Sequence, residues 1–365
     1  MNVTNTMKKK NIICYVAGKS GGHIIPCLTL AQDERKRHPH LNILLLTTDE
    51  PLDLQISKES NAISWTISLP LKTVSVTGIF DLFKLIAQGS ITICKTFITL
   101  LRYRPLKVVS TGGFLAIPVV ICARILGIPV QLYELNVEPG KATRFLSHWS
   151  IDLRICFAQT ARYLPKKRCR IVAYPIRFFD NTKQITQKEA LAQLHLSDQL
   201  KTIFIIGGSQ GSLQINNYIK DWITENPHMH NQIQIIHQTG KLDNFNWQLF
   251  YKEHNIPAVV YQFTFDIALH YSAADLIICR SGAGALFETL FFGKTCITIP
   301  LETNINNHQI ANALAMQKQY DELFTVLRQD QLNQNRELLA HTITKLLQIY
   351  QSQNYEKEIS ANANR

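Results

Sequence analysis

Twice along this chain a short apolar run ends in a glycine-rich turn and passes into an amphipathic stretch. In the first half Ile12 to Ala17 leads into Gly18-Lys19-Ser20-Gly21-Gly22-His23, and in the second Ile203 to Ile206 leads into Gly207-Gly208-Ser209-Gln210-Gly211. A strand, glycine turn and helix in that order constrain the fold strongly. Glycine permits positive φ and close approach of a ligand, and the helix start presents free N–H groups to an anion. One copy is weak evidence, but one copy in each half points to two α/β domains that handle phosphorylated ligands. The 365 residues fit that division, since they exceed the roughly 250 to 300 at which a single core stops growing.

The remaining pattern agrees. Apolar runs at 11–17, 42–47, 107–110, 129–133 and 153–157 read as strands of a first domain, and those at 202–206, 232–236, 258–261, 275–279 and 295–299 as strands of a second. The expected fold class is α/β, with two Rossmann-like doubly wound domains facing a cleft. The first domain is expected over 1–176 and the second over 177–344, with the break near Tyr174-Pro175-Ile176-Arg177. The chain then reads as an amphipathic helix around Leu338 to Tyr350 and a polar tail, and 345–365 is a candidate to return to the first domain.

Composition narrows the function classes. A mean hydropathy of −0.03 excludes a polytopic membrane protein. Residues 1–176 hold 23 Lys and Arg against 10 Asp and Glu, whereas 177–365 hold 15 against 17, so the basic character belongs to one half. That half suits an acidic bilayer or a pyrophosphate-bearing substrate. Nucleic acid is disfavoured, because the basic residues are not interleaved with aromatics. The eight cysteines are scattered without a CxxC or a short His/Cys spacing, which fits reduced core thiols in a cytosolic protein and no metal site. Lys8-Lys9-Lys10 before Ile12 imitates a signal peptide, but the apolar run ends after about six residues in a glycine turn, so a cytoplasmic location is expected.

Gly18-Lys19-Ser20 invites a P-loop reading, which needs a glycine five positions before Gly18, where Ile13 stands. The stretch Ala17 to Pro26 instead resembles the GGTGGHxxP signature that opens the MurG family, transferases that add N-acetylglucosamine to lipid-linked muramyl-pentapeptide. Gly21, Gly22, His23 and Pro26 fall in register, with Lys19 and Ser20 replacing a glycine and a threonine. Ser110-Thr111-Gly112-Gly113-Phe114 resembles the family's GGY/F turn. Tyr133-Glu134-Leu135-Asn136 is similar to HEQN, with Tyr133 and Leu135 departing, and Ala173-Tyr174-Pro175-Ile176-Arg177 is similar to GNPVR. Gly207 to Gly211, His237-Gln238-Thr239-Gly240-Lys241, Arg280 to Glu288, and His308-Gln309-Ile310-Ala311-Asn312-Ala313 complete the series in family order, over roughly residues 12–315.

The resemblance implies an inverting transfer from UDP-N-acetylglucosamine to a polyprenyl-pyrophosphate-linked acceptor, with no cofactor and no metal. No Asp-x-Asp pair occurs in the chain. His23, where the glycine turn meets a helix, is the candidate base, since a neutral imidazole can accept a hydroxyl proton. Gly21, Gly22, Gly112, Gly113, Glu134 and Asn136 are assigned to the acceptor side and its turns. For Glu134 and Asn136, binding a ligand and pinning the loop Val137 to Gly140 both remain open. Ser20, Asn136, Arg177, Ser209, Gln210, Ser281, Ala283, Gly284, Ala285, Glu288, His308, Gln309 and Asn312 are assigned to the UDP-sugar. The small-residue turn offers N–H groups to the diphosphate, Glu288 accepts from ribose hydroxyls, and the polar trio of 308, 309 and 312 reads the sugar. Arg177 suits a diphosphate or the hinge, and Arg280 a structural role satisfying carbonyls.

Residues 74–86 and 91–103, with Lys95, Arg102 and Arg104, form apolar segments too short to span a bilayer but suited to lie on one. A peripheral position on the cytoplasmic side of the inner membrane is therefore expected. A related transferase with another lipid acceptor, such as diacylglycerol, and a UDP-sugar epimerase remain as alternatives.

Overall fold

A computed structural model describes residues 11–18, 21–58, 60–71, 79–149, 152–164, 169–178, 182, 185–208, 210–264, 266–303 and 308–348. The chain divides into two compact units, Met1–Arg177 and Phe178–Arg365.

In the first unit the strands are β1 (Ile12–Val16), β2 (Asn42–Thr48), β3 (Trp65–Leu69), β4 (Val108–Ser110), β5 (Val130–Glu134), β6 (Asp152–Ile155) and β7 (Cys169–Ile171). Among the described residues they form one sheet in the order β3-β2-β1-β4-β5-β6-β7, with every pairing parallel. Helices α1 (Gly21–Arg37), α2 (Pro51–Lys58), α3 (Ile79–Tyr103), α4 (Ala116–Ile125) and α5 (Lys141–Leu146) connect them. All five residues of β1 are buried, as expected of a central strand covered on both faces. Strand order reverses between β1 and β4, so the turns leaving these two strands flank the switch point where such sheets bind ligands.

The second unit repeats the plan. It contains α6 (Gln187–Gln193), β8 (Lys201–Ile206), α7 (Leu213–Glu225), β9 (Ile233–Gln238), α8 (Trp247–Glu253), β10 (Ala258–Tyr261) and α9 (Ala268–Ala273). It continues with β11 (Leu276–Cys279), α10 (Ala283–Phe292), β12 (Thr295–Thr298), α11 (His308–Gln319), β13 (Phe324–Val326), α12 (Gln329–Gln334) and α13 (Glu337–Leu347). Its parallel sheet runs β10-β9-β8-β11-β12-β13, with the switch between β8 and β11.

The structure departs from the sequence expectation in three places. Strands β3, β7 and β13 were not expected from the sequence; each is a short strand at a sheet edge, and most of its residues are only partly buried or exposed. The segments expected at 74–86 and 91–103 are a single helix from Ile79, residues 72–78 lying outside the described residues. The C-terminal helix is α13, whose Leu339, Ile343 and Leu347 are buried in the second unit's core. Residues 345–348 belong to that helix and its C-cap, and 349–365 lie outside the described residues.

Helix α3 presents an unusual face. Thr92, Thr96 and Thr99 point inward and are buried, while Ala87, Ile91, Cys94, Ile98 and Leu101 are exposed. The outward residues recur every three or four positions, so they form one continuous stripe. Ile98 is 64% exposed and Ile91 55%, and Lys84, Lys95 and Arg102 are exposed on the same helix.

Candidate active site

In the first unit the turn after β1 delivers His23 to the third position of α1. His23 Nδ1 lies 2.8 Å from the carbonyl oxygen of Thr111, and the Thr111 hydroxyl donates back to the His23 carbonyl at 2.9 Å. A carbonyl only accepts, so Nδ1 is the donor in this pair, and the tautomer this bond selects has Nε2 as its acceptor nitrogen. Gly112 and Gly113 follow at φ +88° and +83°, and a Cβ on either would come within 4 Å of the His23 ring. The turn after β4 therefore both fixes the tautomer of His23 and flanks its ring. Gly21 is buried and Gly22 exposed at the helix start, and Pro26 has no N–H to give the Gly22 carbonyl.

Glu134 ends β5 and is 4% exposed. Its Oε1 accepts from the backbone N–H and side-chain amide of Asn136 at 3.0 and 3.3 Å, and its Oε2 accepts from the Gly140 N–H at 3.1 Å. Of the two roles open for this carboxylate, loop pinning is the one made by these contacts. Thr160 adds a hydroxyl bond to the Asn136 carbonyl at 2.9 Å. Tyr133 points to the other face, where its hydroxyl accepts from Arg154 at 2.9 Å and Arg154 pairs with Asp152 at 3.0 Å.

In the second unit two glycine turns lock together. Gly211, at φ +83°, and Gly240, at φ +90°, approach so closely that a Cβ on Gly240 would stand 2.3 Å from the Gly211 Cα, and one on Gly211 would stand 2.5 Å from the Gly240 Cα. Below them lies a polar network. His237 is fully buried, with its ring nitrogens 2.8 Å from the Tyr251 hydroxyl and 3.1 Å from the Asn216 amide oxygen. Asn216 donates to the Thr239 carbonyl and to Asp243, which also takes the Trp247 indole N–H. Burial pushes the His237 pKa down to about 3, so its ring is neutral and serves to hold the turn.

The turn after β11 leads through Gly282, the N-cap, into α10. The first N–H groups of α10, on Ala283, Gly284 and Ala285, lack carbonyl partners within the helix, and a Cβ on Gly282 would meet nothing within 4 Å. Small side chains thus leave the positive end of a ten-residue helix open to an anion. Glu288, further along α10, is 6% exposed, and its Oε2 accepts from the Tyr271 hydroxyl at 3.1 Å. Ser281 is fully buried with its hydroxyl 2.7 Å from that of Thr298, so it contributes backbone to the bend. Asn312 is also fully buried and donates to the Ser281 carbonyl at 3.2 Å, so its amide braces the bend. His308 and Gln309 open α11 and are half-buried, and the Gln309 side-chain oxygen accepts from the Leu301 N–H at 2.9 Å.

Arg280 ties these loops together. Its guanidinium donates to the Ser212 hydroxyl, to Gln214 and Gln329, and to the carbonyls of Ile299 and Pro300, which is the carbonyl-satisfying role expected of it. Gln210 is exposed at the first turn, and Arg177 is half-buried as the last residue of the first unit. Ser20 and Ser209 lie outside the described residues. Among the described residues no group of three or more His, Cys, Asp or Glu is placed to hold a metal ion. Sequence reasoning gave no role to Thr111 or Tyr271. Thr111 lies in the Ser110–Phe114 turn but orients the His23 ring through its carbonyl, and Tyr271 acts across a tertiary contact that no local pattern announces.

These features agree with comparison to known proteins. The glycosyltransferase family 28 N-terminal domain matches residues 13–151, and the C-terminal domain of the same family matches 202–365. A relative from Protochlamydia amoebophila is 33% identical over 314 residues, covering 84% of this chain and 80% of its own length. One from Alkaliphilus oremlandii is 30% identical over 328 residues, covering 87% and 85%. Both are named as the N-acetylglucosamine transferase of N-acetylmuramyl-(pentapeptide) pyrophosphoryl-undecaprenol. The crystal structure of Acinetobacter baumannii MurG matches with a TM-score of 0.68 over 93% of this chain and 91% of that one, a likeness of fold at 23% identity. With the open α10 bend and the paired glycine turns, this extent of similarity places the chain in the MurG family of UDP-N-acetylglucosamine:N-acetylmuramyl-(pentapeptide) pyrophosphoryl-undecaprenol N-acetylglucosamine transferases.

Proposed function

We propose that this chain transfers N-acetylglucosamine from UDP-N-acetylglucosamine to lipid-linked N-acetylmuramyl-pentapeptide in peptidoglycan synthesis, by inversion and without a metal or cofactor. The observation that carries this reading is the α10 bend, with the small residues Gly282 to Ala285 at the helix N-terminus, open space beside Gly282, and the buried carboxylate of Glu288 behind it. The helix end receives the diphosphate and Glu288 receives the ribose hydroxyls. His308 and Gln309 address the sugar. Nε2 of His23 takes the proton of the acceptor 4-hydroxyl as that oxygen attacks the anomeric carbon. The bond from that carbon to the diphosphate breaks, and UDP leaves with both electrons. Charge on the leaving diphosphate is met by the helix dipole, backbone amides and Arg177.

The test is transfer of labelled N-acetylglucosamine from UDP-N-acetylglucosamine to a polyprenyl-linked muramyl-pentapeptide, to diacylglycerol, and to no acceptor, each with and without EDTA. Label on the muramyl lipid, unchanged by EDTA, is expected. Label on diacylglycerol alone, or an altered sugar that stays on the nucleotide, would replace this reading with one of its two rivals.

The same proposal places the first unit against the cytoplasmic membrane surface through the α3 stripe. Support comes from exposed Ile91, Ile98 and Leu101 beside Lys95 and Arg102, from the basic excess of this half, and from an acceptor carried on lipid. No described helix is long and apolar enough to cross a membrane. Replacing both Ile91 and Ile98 with Ser should weaken sedimentation with anionic vesicles about tenfold or more, because each exposed isoleucine loses part of its transfer free energy. Turnover with acceptor in detergent should hardly change. Equal sedimentation of the variant and the original chain would reject this face.

A further inference from the structure

Tyr271 on α9 is fully buried. Its ring stacks on Phe292 with centroids 5.2 Å apart and planes 2° apart, and meets Phe204 and Phe178 edge-on at 5.3 and 6.0 Å. Phe292 and Glu288 are four residues apart on α10 and so share a helix face. The tyrosine thus grips that face at two levels, its ring against Phe292 and its hydroxyl donating to Glu288 Oε2 at 3.1 Å.

We propose that Tyr271 is a positioning residue for donor recognition, fixing the carboxylate plane of Glu288 so that it accepts from the ribose 2′- and 3′-hydroxyls of a uridine nucleotide. The inference rests on the reading of Glu288 as the ribose acceptor. A carboxylate carries about four lone-pair positions, so a phenol can occupy one and still leave the group able to accept from a diol. The phenol holds one of those positions from a fixed direction, which keeps the carboxylate plane in the orientation a vicinal diol requires. The ring is held by three aromatic neighbours, so the hydroxyl is placed by rigid packing, and its position does not depend on the ligand.

Tyr271→Phe keeps the ring and removes the donor. Steady-state kinetics would be measured with UDP-N-acetylglucosamine and with its 2′-deoxyuridine analogue, for the original chain, Tyr271→Phe and Glu288→Ala. The original chain should prefer the ribonucleotide by about tenfold or more in kcat/KM, the scale of a hydrogen bond to a charged group. Glu288→Ala should abolish the preference. Tyr271→Phe should raise KM for the ribonucleotide about fivefold with kcat within about twofold, and cut the preference to about threefold or less. If Glu288→Ala keeps the preference, the ribose reading of Glu288 fails. If Glu288→Ala loses it while Tyr271→Phe keeps both KM and preference, Tyr271 is overturned alone. A lowered melting temperature with an intact preference would assign Tyr271 to packing only.

Discussion

Replacing His23 with Ala should lower kcat by about a thousandfold, within the range of 10² to 10⁴ that a positioned general base contributes, while UDP binds with nearly unchanged affinity. The expectation follows from the two bonds to Thr111. Nδ1 is committed to the Thr111 carbonyl, so the ring is held in the tautomer whose Nε2 accepts a proton. A second substitution separates chemistry from scaffolding. Asn at position 23 has an amide N–H that can replace the Nδ1 donor to Thr111 but has no basic nitrogen. If His23 serves only to tie the β1 and β4 turns together, His23→Asn should restore turnover. If it is the base, His23→Asn should be as slow as His23→Ala although its melting temperature recovers. Single-turnover measurement of both variants, with calorimetric titration of UDP, decides between these outcomes.

How much of this could be read in the sequence depended on the range of the interactions. Strands β1, β8 and β11 are covered on both faces, so burial writes itself into unbroken apolar runs. The glycine turns were equally legible, because the backbone geometry at Gly112, Gly113, Gly211 and Gly240 excludes most other residues. Strands β3, β7 and β13 were not legible, since each is short and mostly only partly buried, Trp65 at the start of β3 being 39% exposed, whereas β10, also at an edge, keeps the apolar run Ala258–Tyr261. The roles of site residues divided along the same line. That Arg280 would satisfy carbonyls followed from its place in a tight turn, whereas the burial of Asn312 against Ser281 did not, because helical spacing says which residues share a face and nothing about what that face meets. Thr111 illustrates the limit well: the bond that orients the His23 ring passes through a backbone oxygen, which every residue type possesses, and only its second bond uses the hydroxyl.

The glycine interlock of the second unit leads to a structural effect on the scale of a core side-chain truncation, although only one methyl group is added. Gly240→Ala should destabilise that unit by about 2 to 5 kcal/mol, combining about 1 to 2 for an L-residue in the left-handed region with about 1 to 3 for overpacking. The added Cβ would stand 2.3 Å from the Gly211 Cα and 2.5 Å from the Gln210 carbonyl oxygen, and both are backbone atoms with no rotamer to escape into. The turn on one side is held by the Gln238 side-chain bond to the Gly208 carbonyl, and on the other by Asn216 donating to the Thr239 carbonyl. Relief of the clash must therefore pull the first turn away from the sheet, and Gln210 and the N-cap of α7 move with it. A melting temperature lower by about 5 to 15 °C is expected for a unit of this size, together with loss of UDP affinity. Gly293→Ala isolates strain from collision, since Gly293 has φ +62° with nothing within 4 Å of an added Cβ, and it should cost only the left-handed penalty. Thermal melts and UDP titrations of the two variants, side by side, test the interlock. Equal small losses in both would mean that backbone strain alone makes glycine necessary at position 240, whereas a much larger loss at 240 requires that the two turns touch.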